Sequence, residues 1–366
     1  MREKSTRRMA SLLLTFCSGC FLSVATVANE VEEQPDFLLQ IWQVEDGLPH
    51  NIVRRIMQSR DGYLWFGTAG GLARFDGARF REQPLPFVPP HRVPSVRTVI
   101  EEEDGTLLLL VGATNLVRFQ EGDFTPHPSA DELGEKHITT LLAEADGVLW
   151  AGYASGEVRR WEGGRTERFA RADGLNGGRF ISFGEAGAGG PWIASGSFLG
   201  QYRAGRLVPV EQEVGENLRI VGSRTGGLWI SGAERLQRFQ SGEFITLVEG
   251  PAWRGLGRVE ALFEDHQNAL WIGTRKHGLL RHAQGKLVRV PTSHTQVIAI
   301  AQDAEGSIWA GTRGGGLNRI RPKSFRIFDA QTGLAEDVSY SICEDAVGAV
   351  WFANYGGGLA RLRSGK

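Results

Sequence analysis

Arginine, histidine and aromatic residues gather in this chain where the surrounding sequence forms turns: His50 and Asn51, His91 and Arg92, Asn176 and Arg179, Trp253 and Arg254, Arg275 to His277, Arg313, and Tyr355. A guanidinium forks carboxylate or sulfate, and an aromatic ring offers a flat apolar face, so the set suits planar, anionic or sugar-like ligands. Taken singly, each is equally a solvated loop residue. Catalytic patterns are scarcer. His277 as a general base beside the Glu264 carboxylate is conceivable, but no spacing ties the two together. The eight His residues are scattered singly without a zinc motif. No Gly-x-Ser-x-Gly elbow or P-loop stands out, and the Asp-Gly pairs lack the acidic ladder of a calcium loop. The residues point to binding without catalysis, with no cofactor and no metal.

What must position these residues is a repeat. A turn pair followed by an aliphatic-Trp strand and a small residue recurs as Asp61-Gly62-Tyr63-Leu64-Trp65-Phe66-Gly67 and Asp146-Gly147-Val148-Leu149-Trp150-Ala151-Gly152. The Trp positions run Trp65, a degenerate Leu110, Trp150, Trp192, Trp229, Trp271, Trp309 and Trp351. Their spacing of about forty residues is that of a four-stranded propeller blade. In the first repeat, residues 52–58, 64–68, 72–75 and 79–83 read as four strands separated by Gly-containing turns. Further blades follow at 96–126, 138–169, 180–210, 218–247, 259–290, 297–328 and 338–362. The second has lost its Trp, and the fourth has Gly189-Gly190-Pro191 where the acidic turn should stand. The expected fold is an all-β propeller of eight four-stranded blades, with seven plus an unpartnered repeat as the alternative.

A propeller has to close. The last repeat shows no fourth strand, whereas residues 37–43 offer a spare one at the other end, so an N-terminal strand is expected to complete the final blade and cover the exposed edges. One propeller domain over residues 29–366 accounts for the array. Residues 1–28 read as a secretory signal: Arg2, Lys4, Arg7 and Arg8 precede an apolar stretch, and Thr26-Val27-Ala28 offers a cleavage point. Lipidation at Cys20 is the lesser alternative, because Cys17 stands where an aliphatic residue is expected. Cleavage removes those four basic residues and Glu3, moving the formal charge from -1 to -4. A mildly acidic body argues against nucleic-acid binding. Cys343 then stands alone and is expected to pack as a small hydrophobe.

Residues 41–51, Ile-Trp-Gln-Val-Glu-Asp-Gly-Leu-Pro-His-Asn, followed by Asp61 to Thr68 and Gly71 to Gly77, resemble the two-component regulator propeller repeat. Leu270 to Thr274, Ile308 to Thr312 and Gly315 to Arg319 repeat the wording, and the resemblance extends over about nine tenths of the chain. It implies a periplasmic ligand-binding sensor, normally placed ahead of a β-sandwich, a membrane helix and a histidine kinase or diguanylate cyclase. Better-understood members sense oligosaccharides. No kinase or cyclase signature follows the repeats here, so the resemblance implies either a membrane-bound partner for output or a truncated or split sensor. A propeller lyase similar to streptogramin lyase and a protein-interaction scaffold are the alternatives.

Overall fold

The computed structural model describes residues 32–33, 37–85, 95–176, 178, 180–185, 189–323, 334, 338–356 and 358–362. Its organising unit is set by three residues on one blade. Asp303 stands at the turn between the first and second strands; its Oδ1 accepts the Ser307 N–H at 2.7 Å and its Oδ2 accepts Trp309 Nε1–H at 2.8 Å. From the third strand, the Arg319 guanidinium lies 5.2 Å from the centre of the Trp309 ring. One carboxylate thus fixes the turn and the indole together, and the cation covers the ring face. The same wiring joins Asp265, Trp271 and Arg281, and again Asp345, Trp351 and Arg361. Ser59 takes the acid's place for Trp65, Glu144 serves Trp150, and Glu264 reaches Trp229 from the following blade.

The second blade keeps the plan without the ring. Leu108, opposite Ile100 and Arg118, occupies the Trp position, as Trp65 lies opposite Met57 and Arg74. Leu110, the expected substitute, is two residues further on, at the position held by Gly67 in the first blade.

Strand pairing divides the described chain into eight sheets, matching the motif count. Seven of them stand in a ring, with inner strands Val53–Gln58, Val96–Glu101, Ile138–Ala143, Ile181–Gly184, Arg219–Gly222, Val259–Glu264 and Val297–Gln302 packed each against the next and the last against the first. The small residue after the Trp makes this packing possible. A Cβ on Gly67 would lie 2.9 Å from the carbonyl oxygen of Val96, and one on Gly273 would lie 2.7 Å from that of Val297. Gly311 of the seventh blade meets Val53 O of the first in the same way, at 2.7 Å. The ring therefore closes after seven blades.

The N-terminal strand does supply the missing fourth strand, but to the seventh blade and not the eighth. Phe37–Trp42 pairs antiparallel with Leu317–Pro322, residue for residue from Phe37 opposite Pro322 to Trp42 opposite Leu317. Trp42 stacks on Trp309 with ring centres 5.2 Å apart and planes 18° from parallel, and meets Phe75 of the first blade edge-on at 5.6 Å. Phe37 meets Trp271 of the sixth blade at 5.7 Å. One strand therefore ties three blades. Next to it, Glu32–Glu33 adds a short parallel strand to the sixth blade.

The eighth repeat, three strands from Ser339–Glu344 to Gly358–Leu362, keeps its own Asp-Trp-Arg wiring but makes no comparable packing against a ring strand. Its first strand is exposed throughout, with Tyr340 73% and Ile342 62% accessible. The array is thus eight sheets, as the motif count has it, of which seven form the ring and one is an unpartnered repeat, the alternative that the sequence left open. Cys343, expected to pack inside, is exposed for the same reason.

Candidate functional site

A buried threonine holds the turn between second and third strands in three blades. Thr68, Thr274 and Thr312 are fully buried, and their hydroxyls donate to the carbonyls of Gly71, Gly278 and Gly316 at 2.8 to 3.0 Å. Each also accepts a turn N–H, from Gly70, His277 or Gly315. The N–H groups of Ala69, Arg275 and Arg313 donate to the carbonyls of Ile52, Arg258 and Gln296, just where the chain enters an inner strand. These turns and the interblade connections therefore share one face, as the sequence led us to expect.

On that face the expected residues separate by role. His50 Nδ1 accepts the Ile52 N–H at 2.9 Å, and Asn51 Oδ1 accepts the Val44 N–H at 3.0 Å, so both hold the connection from the closing strand into the first blade. Asn176 donates to Ser197 Oγ at 2.7 Å, and Arg254 forms an exposed pair with Glu234 at 3.3 Å. Trp253 is only 2% accessible and donates to Gly232 O at 3.0 Å; it packs with Leu256 and Val259, so its ring offers no open face. Arg275 and Arg313 are exposed and His277 half-buried. Tyr355 belongs to the eighth repeat, where it meets Tyr340 edge-on at 5.6 Å. His91, Arg92 and Arg179 lie outside the described residues.

The conceivable base-carboxylate pair is not assembled. Glu264 ends an inner strand and His277 lies beyond the far end of the second strand, Leu270–Thr274. The buried Glu264 carboxylate is occupied by Trp229 Nε1, Ser223 Oγ and the Arg224 N–H. Among the described residues no group of three or more His, Cys, Asp or Glu side chains could hold a metal ion.

Sequence reasoning missed a set of arginines on the inner strands. Arg54 and Arg97 are the extra residues of β-bulges, between Val53 and Arg55 and between Val96 and Thr98. Burial, then the charges of Arg97 and Arg313, hold the Arg54 pKa below its usual value. Arg219 is pushed down to about 10 by burial first, with the Arg258 charge adding to it and Glu260 opposing. The Phe180 ring lies 3.4 Å from the Arg258 guanidinium carbon and 5.7 Å from that of Arg219. Near the opposite ends of the second to fourth inner strands, a groove of 550 Å³ is walled by Glu101, Glu102, Glu103, Glu144 and Glu185 together with Arg60 and Arg118, and burial followed by the Glu144 charge raises the Glu185 pKa. A signal for the arginines was present, since each interrupts or opens an aliphatic inner strand.

Residues 47–70 and 292–314, which include the Thr68 turn, the entry to the seventh blade and the Thr312 strand, match the family model of the two component regulator propeller. Those two segments are what the chain shares with the family. No curated protein matches it. Among solved structures, the chain resembles the extracellular domain of the hybrid two-component system BT3049 from B. thetaiotaomicron at 21% identity and a TM-score of 0.68, over 90% of this chain and 48% of that one. The corresponding domain of BT4673 from the same organism gives 18% identity and 0.65, over 90% and 45%. The chain thus spans about half the length of these domains. Streptogramin B lyase matches at 18% identity and 0.62, over 78% of this chain and 98% of that one. At such identities the likeness establishes the propeller fold.

Proposed function

We propose that this propeller is the ligand-binding part of an extracytoplasmic sensor in a two-component or related signalling system, taking an oligosaccharide or another small ligand and passing its state to a membrane-bound kinase or cyclase. The observation that carries the reading is the face built by the repeats: turns fixed by buried threonines present Arg275 and Arg313 beside inner-strand arginines. A rigid polar rim of this kind suits recognition, because little side-chain freedom is lost on binding. The leader-like residues 1–28 and the extracellular domains that the fold resembles support export. A noncatalytic role is supported by the separation of His277 from the occupied Glu264. Signalling then requires that the ligand bind two states of the sensor assembly with different affinity.

Calorimetry of the purified chain against neutral and anionic oligosaccharides tests this. Saturable binding is expected, with the glycan recovered unchanged by mass spectrometry. Hydrolysis or elimination of a bound compound, lost in His277→Ala, would establish a lyase-like enzyme instead.

A further inference from the structure

Inner strands of a closed ring are flanked by one another, so a solvent-exposed side chain on them has only the central channel and its mouths to face. Arg55 is exposed, and Arg54, Arg97, Arg219 and Arg258 are partly so, although all stand on or at the start of inner strands. They stand at the ends of the inner strands next to the Thr-held turns, in two groups: Arg54, Arg55 and Arg97 on the first and second blades, and Arg219 and Arg258 on the fifth and at the start of the sixth. The only described carboxylate paired with any of them is Glu260, 3.2 Å from Arg258. Arg97 meets His137 Nε2 at 3.0 Å, while Arg54 Nε is buried without a hydrogen-bond partner. Holding cations together out of bulk water is costly unless an anion completes the group.

We propose that this end of the channel binds oxyanions, Arg54, Arg55 and Arg97 forming one anchor and Arg219 with Arg258 a second, each able to take a carboxylate or sulfate group carried by the ligand. The inference rests on the ligand-binding reading above and gives it a chemistry and a place. Arginine matches both groups through paired N–H donors. The Phe180 ring, stacked against Arg258 and near Arg219, offers an apolar surface for the carbon skeleton that bears the anion.

The test uses the full chain at low ionic strength with three probes: inorganic sulfate, a uronate-containing trisaccharide, and the same trisaccharide with its carboxyl groups reduced to alcohols. The acidic trisaccharide is expected to bind at least tenfold more tightly than the reduced one, and sulfate to compete with it. The double variants Arg54→Gln/Arg97→Gln and Arg55→Gln/Arg219→Gln should each weaken binding at least tenfold while keeping a cooperative melt. Arg206→Gln, on the exposed outer strand of the fourth blade, should change it less than twofold. If one double variant fails to fold, the other and the corresponding Lys variants carry the comparison. Equal affinity for acidic and reduced trisaccharides, or wild-type affinity in both double variants, overturns the oxyanion site and leaves the ligand-binding reading standing. Saturable sulfate binding sensitive to these arginines, with no trisaccharide bound, upholds the anion site and sinks the oligosaccharide reading.

Discussion

Replacing Trp309 by alanine is expected to destabilise the ring by about 3–5 kcal/mol, the range for truncating a large buried aromatic side chain. Trp309 is 1% accessible and packs in a cluster built from both the seventh and first blades, including Val53, Phe66, Phe75 and Leu317. It also stacks on Trp42 of the closing strand and donates to Asp303. The truncation therefore opens a cavity at the joint where the ring closes and leaves a buried carboxylate short of one donor. Urea unfolding followed by tryptophan fluorescence and far-ultraviolet circular dichroism measures the effect. A loss below about 1 kcal/mol would mean that this ring is not part of the closure, since such values belong to substitutions outside well-packed cores. Trp351→Ala, in the exposed eighth repeat, should have a much smaller effect on the unfolding of the ring.

Removing residues 37–42 has the second large expected effect. The deletion strips the seventh blade of its outer strand and takes away Trp42 and Phe37, which reach the first, seventh and sixth blades. The Leu317–Pro322 strand becomes an unpaired edge, and such edges template association with other chains. The shortened protein should unfold at lower urea concentration and form concentration-dependent oligomers in light scattering. A monomer with an unchanged unfolding midpoint would show that closure does not depend on this strand.

The propeller was legible because its signature is local. Asp303, Trp309 and Arg319 belong to one blade, and their types and spacing recur wherever a blade is built. Blade number was less legible for the same reason: Asp345, Trp351 and Arg361 make the same contacts in a repeat that stands outside the ring. Membership of the ring is decided by packing between blades, such as Gly311 against Val53, and by the choice of partner for Phe37–Trp42. Neither is written in the repeat itself. The Trp position of the second blade was misplaced by two residues because a run of four leucines, Leu107 to Leu110, has no internal landmark; pairing with Ile100 selects Leu108.

The candidate face was legible in part. Turns and interblade connections do share it, but two of the aromatic candidates are not presented on it, for different physical reasons. Trp253 is drawn into the core beside a four-stranded sheet, whereas Tyr355 stays with a repeat that the ring excludes. His50 Nδ1 and Asn51 Oδ1 are each taken by a backbone N–H group. The inner-strand arginines escaped because a charge within an aliphatic strand becomes meaningful only once the strands surround a common axis.

Closure after seven blades underlies both the fold and the position of the arginine mouth, and cysteine pairing tests it most directly. In a chain with Cys17, Cys20 and Cys343 replaced by serine, Gln40→Cys is combined with Arg319→Cys, its partner across the closing pair of strands, or with Arg361→Cys, the corresponding position of the eighth repeat. Under mild oxidation, the first pair is predicted to crosslink within the monomer, giving a faster-migrating band on nonreducing gels, while the second pair stays reduced. Crosslinking of Gln40→Cys to Arg361→Cys in place of Arg319→Cys would put the closing strand on the eighth repeat and contradict the seven-bladed ring.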